Sequence, residues 1–164
     1  MATVTTLSKA AGGRGNPSNK PYLVEKEIDL AAAATAKGSA LAAADIIEAI
    51  TVGANTMVMA AGMECTTTPS GGTGTVLDLG ITGGDVDAFV DGFAFDSASA
   101  GDYATLANTA CPILVTSSDT IDVLIQAATT VSTAGKVRVW AMLMDVDSIG
   151  SDKGADEVSR DYLA

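Results

Sequence analysis

The sequence predicts an all-β protein, a jelly-roll-like antiparallel β-sandwich with an extended N-terminal arm. Three observations carry that expectation. Between Tyr22 and Val146, short runs rich in β-branched residues recur, several with apolar and polar positions alternating, the period of a half-buried strand. Glycine-containing turns separate them at spacings typical of sandwiches. The 164 residues are 48% hydrophobic but only 4% aromatic. Ala, Val, Ile and Leu must therefore make the core, which one domain of this length can bury.

Residues 1–21 read as an arm. Gly12 to Pro21 has no period and two prolines, so alone it buries little and orders only against something else. A sandwich domain spans 22–146, and 147–164 is a polar, acidic tail with a short helix expected over 154–162. Tyr22, Val24, Ile28 and Leu30 share one face of the first strand, with Leu23, Glu25, Glu27 and Asp29 on the other. Residues 31–50 mix helix-forming alanines with Gly38 and Ser39. They read as a loop or short helical turn near 36–44 followed by a strand over 46–52, with a helix over 30–50 as the alternative. Gly53-Ala54-Asn55 then resembles a hairpin turn into a long strand over 56–67. That strand carries Met57, Met59 and Met63 on one side. After a turn at 68–72, a strand over 73–81 completes an expected three-stranded meander.

Thr75 to Ile81, the glycine–aspartate turn after it and the aromatic run through Phe89, Phe93 and Phe95 form the centre of the chain. Their glycines and aspartates could suggest a ligand loop, but the stretch reads better as a strand, a tight turn and an aromatic core plug. Further strands are expected at 110–116, 120–128 and 136–146, for seven to nine in all. The last has apolar residues on both faces of its second half: Val139, Ala141 and Leu143 against Trp140, Met142 and Met144. Such a strand is either central and covered on both sides or turned to a subunit interface.

Composition excludes several functions. There is no histidine, which removes histidine-based acid–base and nucleophile chemistry and ordinary transition-metal sites. Cys65 and Cys111 lack a basic neighbour, and they read as reduced, buried thiols rather than nucleophiles. Gly71-Gly72-Thr73-Gly74 and Gly80-Ile81-Thr82-Gly83-Gly84 lack the lysine and helix of a phosphate loop. Asp85, Asp87 and Asp91 form a carboxylate cluster, and Asp145 with Asp147 a second. Calcium is the cation such oxygens would take, but the spacing departs from the known loop motif, and solvated turn aspartates account for it. No catalytic, cofactor or metal residue is assigned. The net charge of −11 disfavours direct contact with nucleic acid. No apolar run reaches membrane-spanning length, and the start of the chain does not read as a secretion signal.

The charge is also uneven. Residues 1–24 hold Lys9, Arg14 and Lys20 and no acid, giving +3; the rest hold six bases and twenty acids, giving −14. A basic arm on an acidic body suits docking on an acidic neighbour. Charged residues make up only 18% of the chain, against roughly 25% in ordinary soluble domains, which points to a surface partly covered by partners. Lys9, Arg14 and Lys20 on the arm and Trp140, Met142 and Met144 on the last strand are the candidate partner-binding residues.

Ala49 to Glu64 (AITVGANTMVMAAGME), Gly74 to Gly80 (GTVLDLG) and Asp87 to Phe93 (DAFVDGF) resemble small virion proteins of tailed phages. The likeness is to capsid decoration (cement) proteins, as in phages of marine bacteria and cyanobacteria. It covers roughly residues 45–95, with weaker support over 120–146, and its motifs are structural. Val52-Gly53-Ala54-Asn55 departs from the Ile-Pro-Ala-Gly type of turn expected there. The resemblance implies a jelly-roll protein, often trimeric, that binds the major capsid protein on the outside of an assembled shell after synthesis in the host cytoplasm. It implies a structural protein, not an enzyme. Other virion components (tail, baseplate or head fibre) and a carbohydrate-binding sandwich are the alternatives, the last poorly supplied with aromatic platforms. A major capsid protein is disfavoured by the short chain and the lack of a long helix.

Overall fold

The computed structural model describes residues 3–9, 21–107 and 111–146. Its strands are β1 (Thr3–Lys9), β2 (Tyr22–Asp29), β3 (Ile46–Val52), β4 (Thr56–Ser70), β5 (Val76–Ile81), β6 (Val90–Ala94), β7 (Ile113–Val115), β8 (Asp119–Ala127) and β9 (Ala134–Asp145). One helix, α1 (Leu30–Lys37), and a 3-10 turn at Phe95–Ser97 complete the elements. The strands form two sheets, in the orders β1-β3-β8-β5-β6 and β2-β9-β4-β7.

The pairing explains the architecture. β2 pairs with β9, β3 with β8, β4 with β7 and β5 with β6, all antiparallel. The four pairs nest like the arms of one long hairpin, and successive pairs fall in opposite sheets. Rolling such a hairpin on itself gives a jelly roll. Alternation then fills the middle. Ile121, Val123 and Ile125 of β8 and Val137, Val139, Ala141 and Leu143 of β9 are fully buried in one cluster. Phe89 and Phe95, also fully buried, flank β6, each contributing about 2–3 kcal/mol of burial. The central stretch is a strand, a turn and a core plug made by Phe89 and Phe95, while Phe93, expected with them, is half-buried on β6.

Several local expectations change. Helical structure lies at Leu30–Lys37, ahead of the expected 36–44, where turns and loop follow Gly38. The Asp29 carboxylate caps it by accepting from the N–H groups of Ala31 and Ala32, and Gly38 ends it with φ 78°, a conformation glycine adopts without strain. The glycine is thus the stop of an earlier helix, not an interruption of a later one. β3 and β4 are no hairpin, and 46–81 is no meander. Gly53-Ala54-Asn55 carries the chain from the first sheet to the second, while β3 and β5 both pair with β8. A three-residue glycine turn serves either route; the choice rests on distant β8 and β9. β4 runs on to Ser70, through the expected turn. A bulge between Val58 and Ala60 changes its facing, so Met63 is in the core while Met57 and Met59 are half-buried. Thr3–Lys9, expected within the arm, forms β1, a parallel edge strand on β3. The rest of the arm, residues 10–20, and the tail 147–164 with its expected helix lie outside the described residues.

Candidate functional site

β9 is central in its sheet, and its two faces differ. The inner face is the core. On the outer face, Leu23 of β2 lies opposite Met142, which lies opposite Ala60. Met144 lies opposite Met57, which lies opposite Leu114. Trp140 lies opposite Gly62. A Cβ built on Gly62 would come within 2.6 Å of both the Trp140 ring and Leu106 Cδ2, so the indole lies flat across β4 with Leu106 beside it. Tyr103 bridges to Glu64 at the same edge. Large exposed hydrophobic residues among the described ones are Leu23, Val86, Tyr103, Leu106, Leu114 and Met142. All but Val86 belong to this one face, where exposed apolar area is concentrated.

The other half of the face is charged. Glu27 lies opposite Arg138, which lies opposite Glu64, and Asp29 lies opposite Lys136. Lys136 reaches Glu27 at 3.2 Å and Asp29 at 3.8 Å, and Arg138 is paired with Glu64. The Lys136 pairs are exposed and add little stability, the Arg138–Glu64 pair is part-buried, and together they bound the apolar half with a polar rim. On the inner side of the same strand, Asp145 accepts from the Tyr22 hydroxyl at 2.9 Å and from Thr56 Oγ1 at 3.2 Å. Burial first, then this bond and the carboxylate's charge, push the Tyr22 phenol up to about 12.

Of the residues singled out in the sequence, Trp140, Met142 and Met144 are brought together on this face. Lys9 lies in β1, while Arg14 and Lys20 fall outside the described residues. Sequence reasoning missed Leu23, Met57 as a neighbour of Met144, Leu106 and Leu114. Only the β2–β9–β4–β7 order joins them, although the apolar Leu23 on an otherwise acidic strand face was a visible signal.

The first sheet presents a different outer face. Glu48 lies opposite Asp122, which lies opposite Gly80. Asp122 is only 4% exposed. Its Oδ2 accepts from the Thr82 N–H at 3.1 Å and from the Thr82 hydroxyl, and Oδ1 has no partner among the described residues. Burial pushes its carboxyl up, and the Glu48 charge adds to that. Asp78, bonded to the Gly92 N–H at 2.8 Å, is raised by burial as well. Asp87 is raised through its hydrogen bond with Asp85. Among the described residues no group of three or more acids or thiols is arranged to hold a metal.

Neither cysteine forms a disulfide among the described residues; Cys65 is buried and Cys111 half-buried. Burial raises both pKa values, and Asp102 and Glu64 raise Cys65 further, the reverse of nucleophile activation. No helix among the described residues is long and apolar enough to cross a membrane.

No protein-family model matches the chain, and no curated protein matches it. Solved structures do. One is a chain of the capsid of Ralstonia phage GP4, 19% identical, TM-score 0.59, covering 87% of this chain and 99% of that one. Another is a chain of the cyanophage Pam1 capsid asymmetric unit, 17% identical, TM-score 0.55, covering 82% of this chain and 91% of that one. The likeness is one of fold: the nested jelly roll described above recurs in chains of two phage capsid structures.

Proposed function

We propose that this chain is a virion structural protein, a capsid decoration or cement protein that binds the major capsid protein on the outer surface of a phage shell and stabilises it without catalysing a reaction. The observation that carries the reading is the collection of exposed hydrophobic residues on one outer sheet face of a jelly roll whose fold recurs in phage capsid structures. Shell contact centres on Trp140, Met142 and Met144, with Leu23 and Leu114 at the sides. Trp and Met are residue types enriched at interface centres. Repetition on a symmetric lattice multiplies a modest single contact into firm attachment, and the protein acts as a homotrimer after synthesis in the host cytoplasm. Arg14 and Lys20 supply the charge for docking on acidic neighbours.

Cryo-EM of the source particle tests this. The expected result is density for this chain outside the shell at every equivalent lattice position, with Trp140 facing capsid protein. Absence from the shell, or presence only at the tail vertex, overturns it.

A further inference from the structure

From Gly38 to Gly135 the sequence has no lysine or arginine and eleven aspartates and glutamates. β3, β5, β6 and β8 all fall in that interval, so the antiparallel part of the first sheet has no cation of its own. The second sheet holds Lys136 and Arg138 in the ion-pair ladder and Lys26 on β2, while Lys37, at the end of α1, bonds Asp45. At the β6 edge of the first sheet, a groove of about 410 Å³ opens between the strand and residues 97–105. Its charged and aromatic lining is Asp91, Phe93, Asp102 and Tyr103. Asp91 is exposed, and its charge contributes to the raised carboxyls of Asp78 and Asp87. The Phe93 ring is packed at 6.2 Å from that of Phe95. Asp102 is fixed by accepting from the Ser99 N–H at 2.7 Å. Carboxylates beside aromatic rings make a receptor for guanidinium and ammonium groups.

The opposite flank carries β1 at the edge of the first sheet and β2 at the edge of the second, with α1 packed against both. Residues 10–20 connect them, with Arg14 and Lys20 and no acid. To reach the groove of its own copy, this segment would cross from β1 to β6, four strand spacings or roughly 19 Å, and then return. Its full contour from Lys9 to Pro21 is only about 40 Å, which leaves no slack. The groove of an adjacent copy imposes no return journey.

We propose that residues 10–20 of one copy, through Arg14 and Lys20, seat in the Asp91–Phe93–Asp102–Tyr103 groove of the next copy and join copies head to tail. Donor and acceptor lie on opposite flanks, so the contact is heterologous, and its repetition closes into a ring where the rotation allows. The inference rests on the self-association proposed above. It does not rest on shell binding, which is assigned to Trp140, Met142 and Met144, while Tyr103 borders both surfaces.

Two variants of the full chain separate the outcomes by size-exclusion with light scattering. Arg14→Gln with Lys20→Gln disables the donor, and Asp91→Lys disables the receptor. Wild type is expected to be an oligomer that weakens with salt. Each variant alone should associate at least about tenfold more weakly. An equal mixture should form a heterodimer and stop there, because one good donor meets one good receptor. A monomeric wild type, variants that keep the wild-type size, or a mixture that stays monomeric each overturn the proposal. If Asp91→Lys lowers the melting temperature, Asp91→Asn replaces it, with a smaller expected loss in the same direction. A particle lacking this chain in its shell would sink the decoration reading and leave this assay's result standing.

Discussion

Two glycines show how differently the sandwich treats its two outer faces. Gly80 of β5 faces outward on the first sheet, where a Cβ would overlap the backbone of Asp85 and Val86. Gly62 of β4 faces outward on the second sheet, where a Cβ would meet only the side chains of Trp140 and Leu106. The first face is closed over Gly80 by the chain's own loop, tied down by Ile81 N–H to Asp85 O at 2.8 Å and by Thr82 to Asp122. Apolar side chains cover the second, and they can turn to meet a partner. A face sealed by backbone has little left to offer; one covered by an indole and methionines is adaptable.

Substitutions at these positions can break that contrast. The largest effect is expected at Gly80→Ala, because backbone must move: a loss of about 3 kcal/mol or more in denaturant unfolding. A near-neutral result would mean that the loop over β5 is loosely held. Next comes Met142→Asp with Trp140→Ala, which should weaken attachment to capsid shells by about 2–4 kcal/mol and change the melting temperature little. Retained binding by this pair would move the docking surface elsewhere.

Gly62→Ala should cost about 1 kcal/mol. It should also displace the indole, which the fluorescence of the single tryptophan reports directly. Tyr22→Phe, which deletes the bond to Asp145, should likewise cost about 1 kcal/mol. In wild type the phenol favours its neutral form on folding, so this stability is present below the ordinary phenol value and lost as pH rises toward about 12. The variant should lack that alkaline slope.

The smallest effect sharpens the account of the acidic face. Asp122, Asp78 and Asp87 are all raised, so the folded state holds more protons than the unfolded chain between the ordinary carboxyl value and the raised ones. Stability should therefore rise as pH falls through the raised values toward the ordinary carboxyl value of about 4. Asp122→Asn should shrink that rise, measured by unfolding at each pH; an unchanged slope would show that Asp122 is not a source of it.

Much of this was legible in the chain. The alternation in β2, β8 and β9 follows from a buried inner face, and the phenylalanines around β6 could only be a plug in a core so poor in aromatic residues. Trp140, Met142 and Met144 stood out because a strand with two apolar faces needs a second cover. The route taken at Gly53-Ala54-Asn55 was not legible, because a short turn fixes the reversal of the chain but not which sheet receives it. Nor was the change of facing along β4, where the bulge between Val58 and Ala60 separates Met63 from Met57.

By itself the sequence determined the strand content, the apolar composition of the core and the segregation of positive charge near the start of the chain. These follow from local periodicity and residue chemistry, which act over a few residues. Tertiary structure alone decided that nested pairs from distant parts of the chain place Leu23, Met57, Trp140, Met142 and Leu114 on one surface. It also decided that a loop closes over Gly80 and that the β1 and β6 edges lie on opposite flanks. Those outcomes depend on strand order, which is set by the burial of whole sheets against each other and not by any local pattern.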